Sequence, residues 1–202
     1  RMDYETLKHF SIVSTSDQIR DFLYPYIAAN VLSAVLPEQA AVWSYPVSSE
    51  SIGGEADGAS VTAEKVVLNM VNAFLGRMHL ASNLTKLSAE NFALVKEGVK
   101  YSKKLAKIKK TALPYFPLGF TDFSKDTVAC GLKANENGKE KLYLAVWVLR
   151  DNKVAVIPVA GAKTANAAYP KNLPTEYDLS GGVLTVKFTG SNSARFFEIE
   201  FF

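Results

Sequence analysis

Up to about residue 112 helical and strand-like periodicities alternate along the chain, and beyond the Pro114, Pro117 and Gly119 cluster only strand-like stretches follow. This change restricts the fold more than any single motif. Alternation implies a parallel sheet with helices packed outside it, whereas strands in direct succession imply antiparallel pairing. In the first part, Arg1-Met2-Asp3-Tyr4 reads as the tail of a strand, after which Asp3 can cap a short helix through Phe10, with Leu7 and Phe10 on one face. Ser11 to Thr15 reads as the next strand. Pro25 suits the first turn of a helix that Tyr26, Ile27, Asn30 and Val31 continue until Leu36-Pro37. The run Ala40 to Pro46 is apolar without alternation, as in a parallel strand buried on both faces.

Thr62 can cap a helix that carries Val66, Val67, Met70, Val71 and Phe74 on one stripe and stops at Gly76. Met78, Leu80 and Leu84 mark another strand. Ser88 caps the longest helix, with Phe92, Val95, Val99 and Leu105 inward and the lysines from Lys96 to Lys110, Lys109 among them, on its other surfaces. These lysines read as a solvated face rather than a nucleic-acid patch. Beyond the Pro/Gly linker, strands are expected at Thr127 to Lys133, Lys141 to Arg150, Lys153 to Pro158, Gly182 to Phe188 and Ala194 to Phe202. Asn137-Gly138 and Asp151-Asn152 read as hairpin turns joining neighbours. Phe197, Ile199 and Phe201 alternate with Glu198 and Glu200, so the last strand should bury one face. This part reads as an antiparallel sandwich.

Composition narrows the function classes. With 202 residues, 48% of them hydrophobic, the chain can bury a sizeable core, and no run is long enough to cross a bilayer. The formal net charge of +3 gives no reason to expect nucleic acid or membrane as partner. Cys130 is alone, which excludes a disulfide framework and a thiolate metal site and reads as a core residue. His9 and His79 have no metal-ligand companion at helical or hairpin spacing and read as structural. Asn83-Leu84-Thr85 matches a glycosylation sequon and reads as a coincidence of composition. The chain opens on Arg1 with no charged-then-apolar leader. The expectation is a cytoplasmic location and a start inside a longer polypeptide.

The candidate for chemistry is Asp17. In Ser14-Thr15-Ser16-Asp17-Gln18 a polar run follows the apolar pair Ile12-Val13 and leads into an acid, as where a buried strand ends in an exposed carboxylate. Parallel α/β enzymes place their reactive groups at strand C-termini, which open onto the ligand-binding loops. The alternative is that Asp17 is an N-cap or turn residue leading to the helix that follows. The Gly-rich stretch 48–60 follows the end of a strand and reads as a loop on the same face.

The order of Arg1-Met2-Asp3, then Ser14 to Gln18, then the run Tyr24 to Pro46 resembles the C-terminal part of the melibiase-type α-galactosidases, family 36 of the glycoside hydrolases. The likeness continues through Gly76 to Ser88, the Lys-rich helix and a terminal sandwich. In that family a strand ending in Gly-Gly-x-Arg-x-Asp precedes one ending in Thr/Ser-Ser-Asp, whose Asp is the general acid/base. The resemblance puts that role on Asp17 and places Arg1, Asp3 and Ser16 on the substrate side. It implies a retaining mechanism on terminal α-galactosides, with an α-galactoside oligosaccharide as partner and neither cofactor nor metal. It also implies a fold that is α/β plus all-β: residues 1–112 as the C-terminal half of a (β/α)8 TIM barrel, and residues 118–202 as the C-terminal β-sandwich. A full barrel takes about 250 residues, so the nucleophile is expected upstream and the chain alone is expected to hydrolyse nothing. The family pattern often continues Ser-Asp-x-Thr-Asp, whereas Gln18, Ile19, Arg20 and Asp21 follow here. A half barrel leaves open edges, so the partner is expected to be the remainder of the same polypeptide or a second copy. The competing class is a non-catalytic carbohydrate-binding or assembly module, which exposed Tyr or Trp on a sandwich face would favour.

Overall fold

A computed structural model describes residues 3–18, 22–47 and 60–202. The first part runs α1 (Tyr4–His9), β1 (Val13–Ser14), α2 (Tyr24–Asn30), β2 (Ala40–Ser44), α3 (Ala63–Asn72), β3 (Arg77–Leu80) and α4 (Ala89–Ile108). Strands β1, β2 and β3 form a parallel sheet in that order. Among the described residues this sheet has three strands and does not close.

The second part contains β4 (Leu113–Tyr115), β5 (Thr127–Glu136), β6 (Lys139–Val148), β7 (Val154–Pro158), β8 (Ala162–Tyr169), β9 (Glu176–Ser180), β10 (Val183–Lys187) and β11 (Ser193–Phe201). They form two antiparallel sheets, β4-β5-β6-β11-β8 and β7-β10-β9. Leu142, Leu144, Val146, Ile157, Val186, Phe197 and Ile199 fill the space between them.

Helices α2 and α3 lie between the parallel sheet and the five-stranded one. A single core runs from Val13 and Val42 through α3 to Trp147 and Phe196. From Val66 to Asn72 every residue of α3 is buried. A helix apolar all round belongs in an interior, and α3 packs on β2, α4, β6 and β11. Two polar groups in this interior are paired off: Trp147 Nε1 donates to Asn72 Oδ1 at 2.8 Å, and Tyr169 Oη donates to the Leu94 carbonyl at 3.2 Å. Arg195 of β11, almost wholly buried, forms a two-pronged pair with Glu64 of α3, both contacts 2.7 Å.

Several expectations change. Tyr4 is the first residue of α1, not the end of a strand, and Phe10 is 61% exposed. Leu84 lies in a single turn of 3-10 helix rather than in β3. The segment after Ala112 begins with strand β4, paired to β5, so the polar linker starts later. Asn137-Gly138 is a tight hairpin turn, with both residues at positive φ as such a turn requires. Asp151-Asn152 is not: β6 and β7 belong to different sheets, and the segment crosses from one to the other. There Asn152 Nδ2 donates to Thr127 Oγ1 at 2.7 Å.

Strands β8 and β9 carry no sequence signal because both are edge strands. Much of each faces solvent, which permits AKTANAAY and EYDLS. Strand β11 buries both faces instead of one: Phe197 and Ile199 enter the sandwich, while Ala194 and Phe196 enter the core shared with α3. No helix among the described residues is long and apolar enough to cross a membrane.

Candidate active site

The parallel sheet carries helices on one face. Val13, Ala40, Val42 and Ser44 are buried beneath them. On the opposite face Ser14 and Arg77 are exposed, and Trp43 and His79 are half-buried. The register accounts for the grouping: Ser14 lies opposite Ala41, two residues before Trp43, and Trp43 lies opposite His79. Side chains two apart on a strand share a face. Trp43 Nε1 donates to Ser14 Oγ at 3.1 Å, its ring stacks on Tyr45 at 6.0 Å, and His79 meets it edge-on at 5.1 Å.

Asp17 lies just past the C-terminal end of β1 and is exposed. The ladder reaches Thr15, whose N–H donates to the Ala41 carbonyl at 3.1 Å, and whose hydroxyl donates to the same oxygen at 2.8 Å. Beyond it the Gln18 N–H donates to Ser16 Oγ at 3.0 Å, folding Ser16-Asp17-Gln18 into a tight turn. On the helix side Tyr24 fixes the two strands together. Its hydroxyl donates to Thr15 Oγ1 at 3.2 Å and accepts the Trp43 N–H at 2.9 Å. Burial raises the Tyr24 hydroxyl pKa, and the charge of Asp17 adds to the effect. Burial, Tyr24 and Asp17 together push Tyr45 up to about 12. Both phenols therefore stay protonated at neutral pH.

Helix α2 begins at Tyr24 with Leu23 at its cap position, so Asp17 is not its cap. Ser16 is spent on the turn. Asp3 caps α1 by accepting the Thr6 N–H at 2.8 Å, and hydrogen bonds from Thr6 hold its carboxyl below the usual range. Arg1 and most of the loop 48–60, from 48 to 59, lie outside the described residues. At the described strand ends, 16–18, 45–47 and 81–83, Asp17 is the one carboxylate.

Sequence reasoning missed Tyr24 and Tyr45, which feel the charge of Asp17, and the grouping of Trp43 with His79 on one sheet face. Trp43 and Tyr45 stood at alternate positions of an apolar run, which was the available signal for a shared face. His79 joins them only through the β2–β3 register, which no local pattern carries. Among the described residues no three His, Cys, Asp or Glu side chains come together as a metal site.

A three-stranded parallel sheet backed by helices and an antiparallel sandwich defines the fold. The fold is that of the C-terminal part of the family GH36 α-galactosidases. A GH36 α-galactosidase variant from Geobacillus stearothermophilus in complex with 1-deoxygalactonojirimycin superposes with a TM-score of 0.63 at 12% identity, covering 93% of this chain and 25% of that one. A further variant in complex with raffinose gives 0.59 at 12% identity over the same shares. The galactosidase domain of an α-galactosidase–sucrose kinase gives 0.59 at 16% identity, with 92% and 25% covered. The chain therefore spans about a quarter of the length of these structures. No protein-family model and no curated protein matches it.

Proposed function

We propose that the chain is the later portion of a retaining glycoside hydrolase that cleaves terminal α-galactosides, with Asp17 as its general acid/base. The observation that carries this reading is Asp17 itself: an exposed carboxylate just past the C-terminal end of a strand in a parallel sheet. The shared fold supports it, as do the raffinose and 1-deoxygalactonojirimycin complexes of the structural neighbours. On this reading residues 1–112 belong to a (β/α)8 barrel and residues 118–202 form the sandwich behind it. Arg1, Asp3 and Ser16 lie on the substrate side, and Trp43 with Tyr45 offers an apolar ring face to the sugar.

Asp17 first gives its proton to the leaving oxygen while a second carboxylate attacks the anomeric carbon. Asp17 then takes a proton from the water that hydrolyses the glycosyl intermediate. The second carboxylate must stand about 5 Å away across the sugar. The described strand ends hold no second carboxylate, and on this reading the nucleophile comes from an earlier part of a longer polypeptide. Trp147 is fully buried and bonded to Asn72 and so lends the non-catalytic binding reading nothing, while Tyr177 of β9 is exposed on the sandwich.

The test compares leaving groups in the longest natural polypeptide that contains this chain. Asp17→Asn should lower raffinose hydrolysis by about 10²–10⁴-fold. It should spare the first step on a dinitrophenyl α-galactoside, whose leaving group needs no proton. Equal losses on both substrates, or an unimpaired raffinose rate, would sink the assignment. Residues 1–202 alone should turn over neither substrate.

A further inference from the structure

Parallel strands exchange hydrogen bonds in an evenly spaced series. Between β1 and β2 the series runs from the Val13 N–H to the Gln39 carbonyl at 2.9 Å, then from the Thr15 N–H to the Ala41 carbonyl at 3.1 Å. The next bond in it would run from the Trp43 N–H to the Thr15 carbonyl. That N–H turns instead to the Tyr24 hydroxyl, 2.9 Å away. The following amide on the same edge of β2, that of Tyr45, is also taken by a side chain and donates to Asn69 Oδ1 at 3.3 Å. On its other edge β2 stays paired further, since the Ala81 N–H donates to the Ser44 carbonyl at 2.9 Å. At its C-terminal end the sheet is therefore parted on one side, between the strand that leads to Asp17 and the strand of Trp43.

The two ends of this hydrogen-bonded chain fix the direction of its protons, because a carbonyl only accepts and a backbone N–H only donates. Thr15 Oγ1 gives its proton to the Ala41 carbonyl at 2.8 Å. The 3.2 Å contact between Thr15 and Tyr24 therefore uses the phenolic proton, while the phenolic oxygen receives the Trp43 N–H. Tyr24 is 1% exposed, which shields these bonds from water. One buried hydroxyl thus meets a backbone donor of β2 and a side-chain acceptor of β1, and it stands where a ladder bond would otherwise close. Immediately beyond Thr15 the chain turns, with the Gln18 N–H on Ser16 Oγ at 3.0 Å, and Asp17 faces solvent.

We propose that Tyr24 is a positioning residue for Asp17: its hydroxyl wedges β1 from β2 at Thr15, and this sets where the carboxylate stands at the C-terminal end of the sheet. The inference rests on the acid/base role given to Asp17 and adds the group that places it. Proton donation to a leaving oxygen tolerates little displacement, because donor and acceptor must come within hydrogen-bond reach. Without the hydroxyl, the Trp43 N–H has the Thr15 carbonyl as its ladder acceptor. Closing that bond draws the turn at Ser16–Gln18 toward β2 and takes Asp17 with it.

The test is Tyr24→Phe, which removes one oxygen and keeps the ring, in the longest natural polypeptide that contains this chain. Its kcat/KM on raffinose should fall about 10- to 100-fold. The first step on a dinitrophenyl α-galactoside, whose leaving group needs no proton, should keep the parent's rate. The ratio of the two rates does not depend on how much of the variant is folded. A crystal structure of the variant should show the Trp43 N–H on the Thr15 carbonyl and the Asp17 carboxylate moved from its place in the parent. Losses in equal proportion on both substrates, as a merely structural role would give, overturn the proposal, and so does a parental rate on raffinose. A backbone unmoved from Thr15 to Gln18 overturns it too. Asp17→Asn on the same two substrates separates this inference from the acid/base reading. Leaving-group selectivity in Asp17→Asn but not in Tyr24→Phe removes the wedge alone, and its absence from Asp17→Asn removes both.

Discussion

Lys109 closes α4 with its side chain inside the protein, 4% exposed, its ammonium donating to the Gly76 carbonyl. No acid compensates it among the contacts described, and burial lowers its pKa from 10.5 to about 7. Between those values the unfolded chain binds a proton that the folded chain does not. Stability from this group therefore rises with pH across that window, and below about 7 the full penalty is present. Lys109→Met should raise stability at pH 6 by about 2 kcal/mol, the relieved desolvation less the lost hydrogen bond. It should also flatten the rise between neutral and alkaline pH. Urea midpoints for both proteins across that range measure it, and parallel curves would refute it. The lysine stripe concealed this residue: by type it belongs with its solvated neighbours, yet it stands four residues after buried Leu105, on the inward side. Asp17 was the opposite case. A polar run after two apolar residues marks a strand end, and the carboxylate is where that pattern puts it.

Between elements, the tightest approach is at Gly76, where the chain enters β3. A Cβ there would lie 2.7 Å from the Ala40 carbonyl oxygen and 2.4 Å from a Val42 methyl. The oxygen belongs to the backbone of β2 and cannot turn aside, so Gly76→Ala should cost about 1–3 kcal/mol. The same exchange at Gly98 of α4 meets only the flexible end of Met70, 2.7 Å away, and should cost less. Thermal unfolding of the two variants side by side checks the order, and equal losses would contradict it. The inner elements were legible because they bury apolar runs. Strand β2, α3 and β6 are where their patterns put them, and the Asn137-Gly138 turn follows from its two residues. Strands β8 and β9 were not legible, since an edge strand has little to bury. The outer face of β11 was also hidden, because nothing local announces that α3 will cover it.

Over the whole molecule, helices and sandwich act as one body because α3 serves both. The pair from Arg195 to Glu64 ties them, with 3% of the arginine side chain and 26% of the glutamate exposed. Glu64→Ala strands a buried guanidinium, leaving it the Thr175 hydroxyl and the Ala194 and Pro174 carbonyls. A loss of about 3 kcal/mol is expected. Because the core is continuous, far-ultraviolet and near-ultraviolet dichroism should report one shared transition at the lower midpoint. Two separate transitions would mean that the parts unfold independently. The placement of the chain's two tryptophans has an optical corollary: Trp43 lies on the wet face by the strand ends, and Trp147 in the dry seam between α3 and β6. An aqueous quencher such as iodide reaches the first indole and not the second, so fluorescence from a single sample separates occupancy beside Asp17 from loosening of the interior.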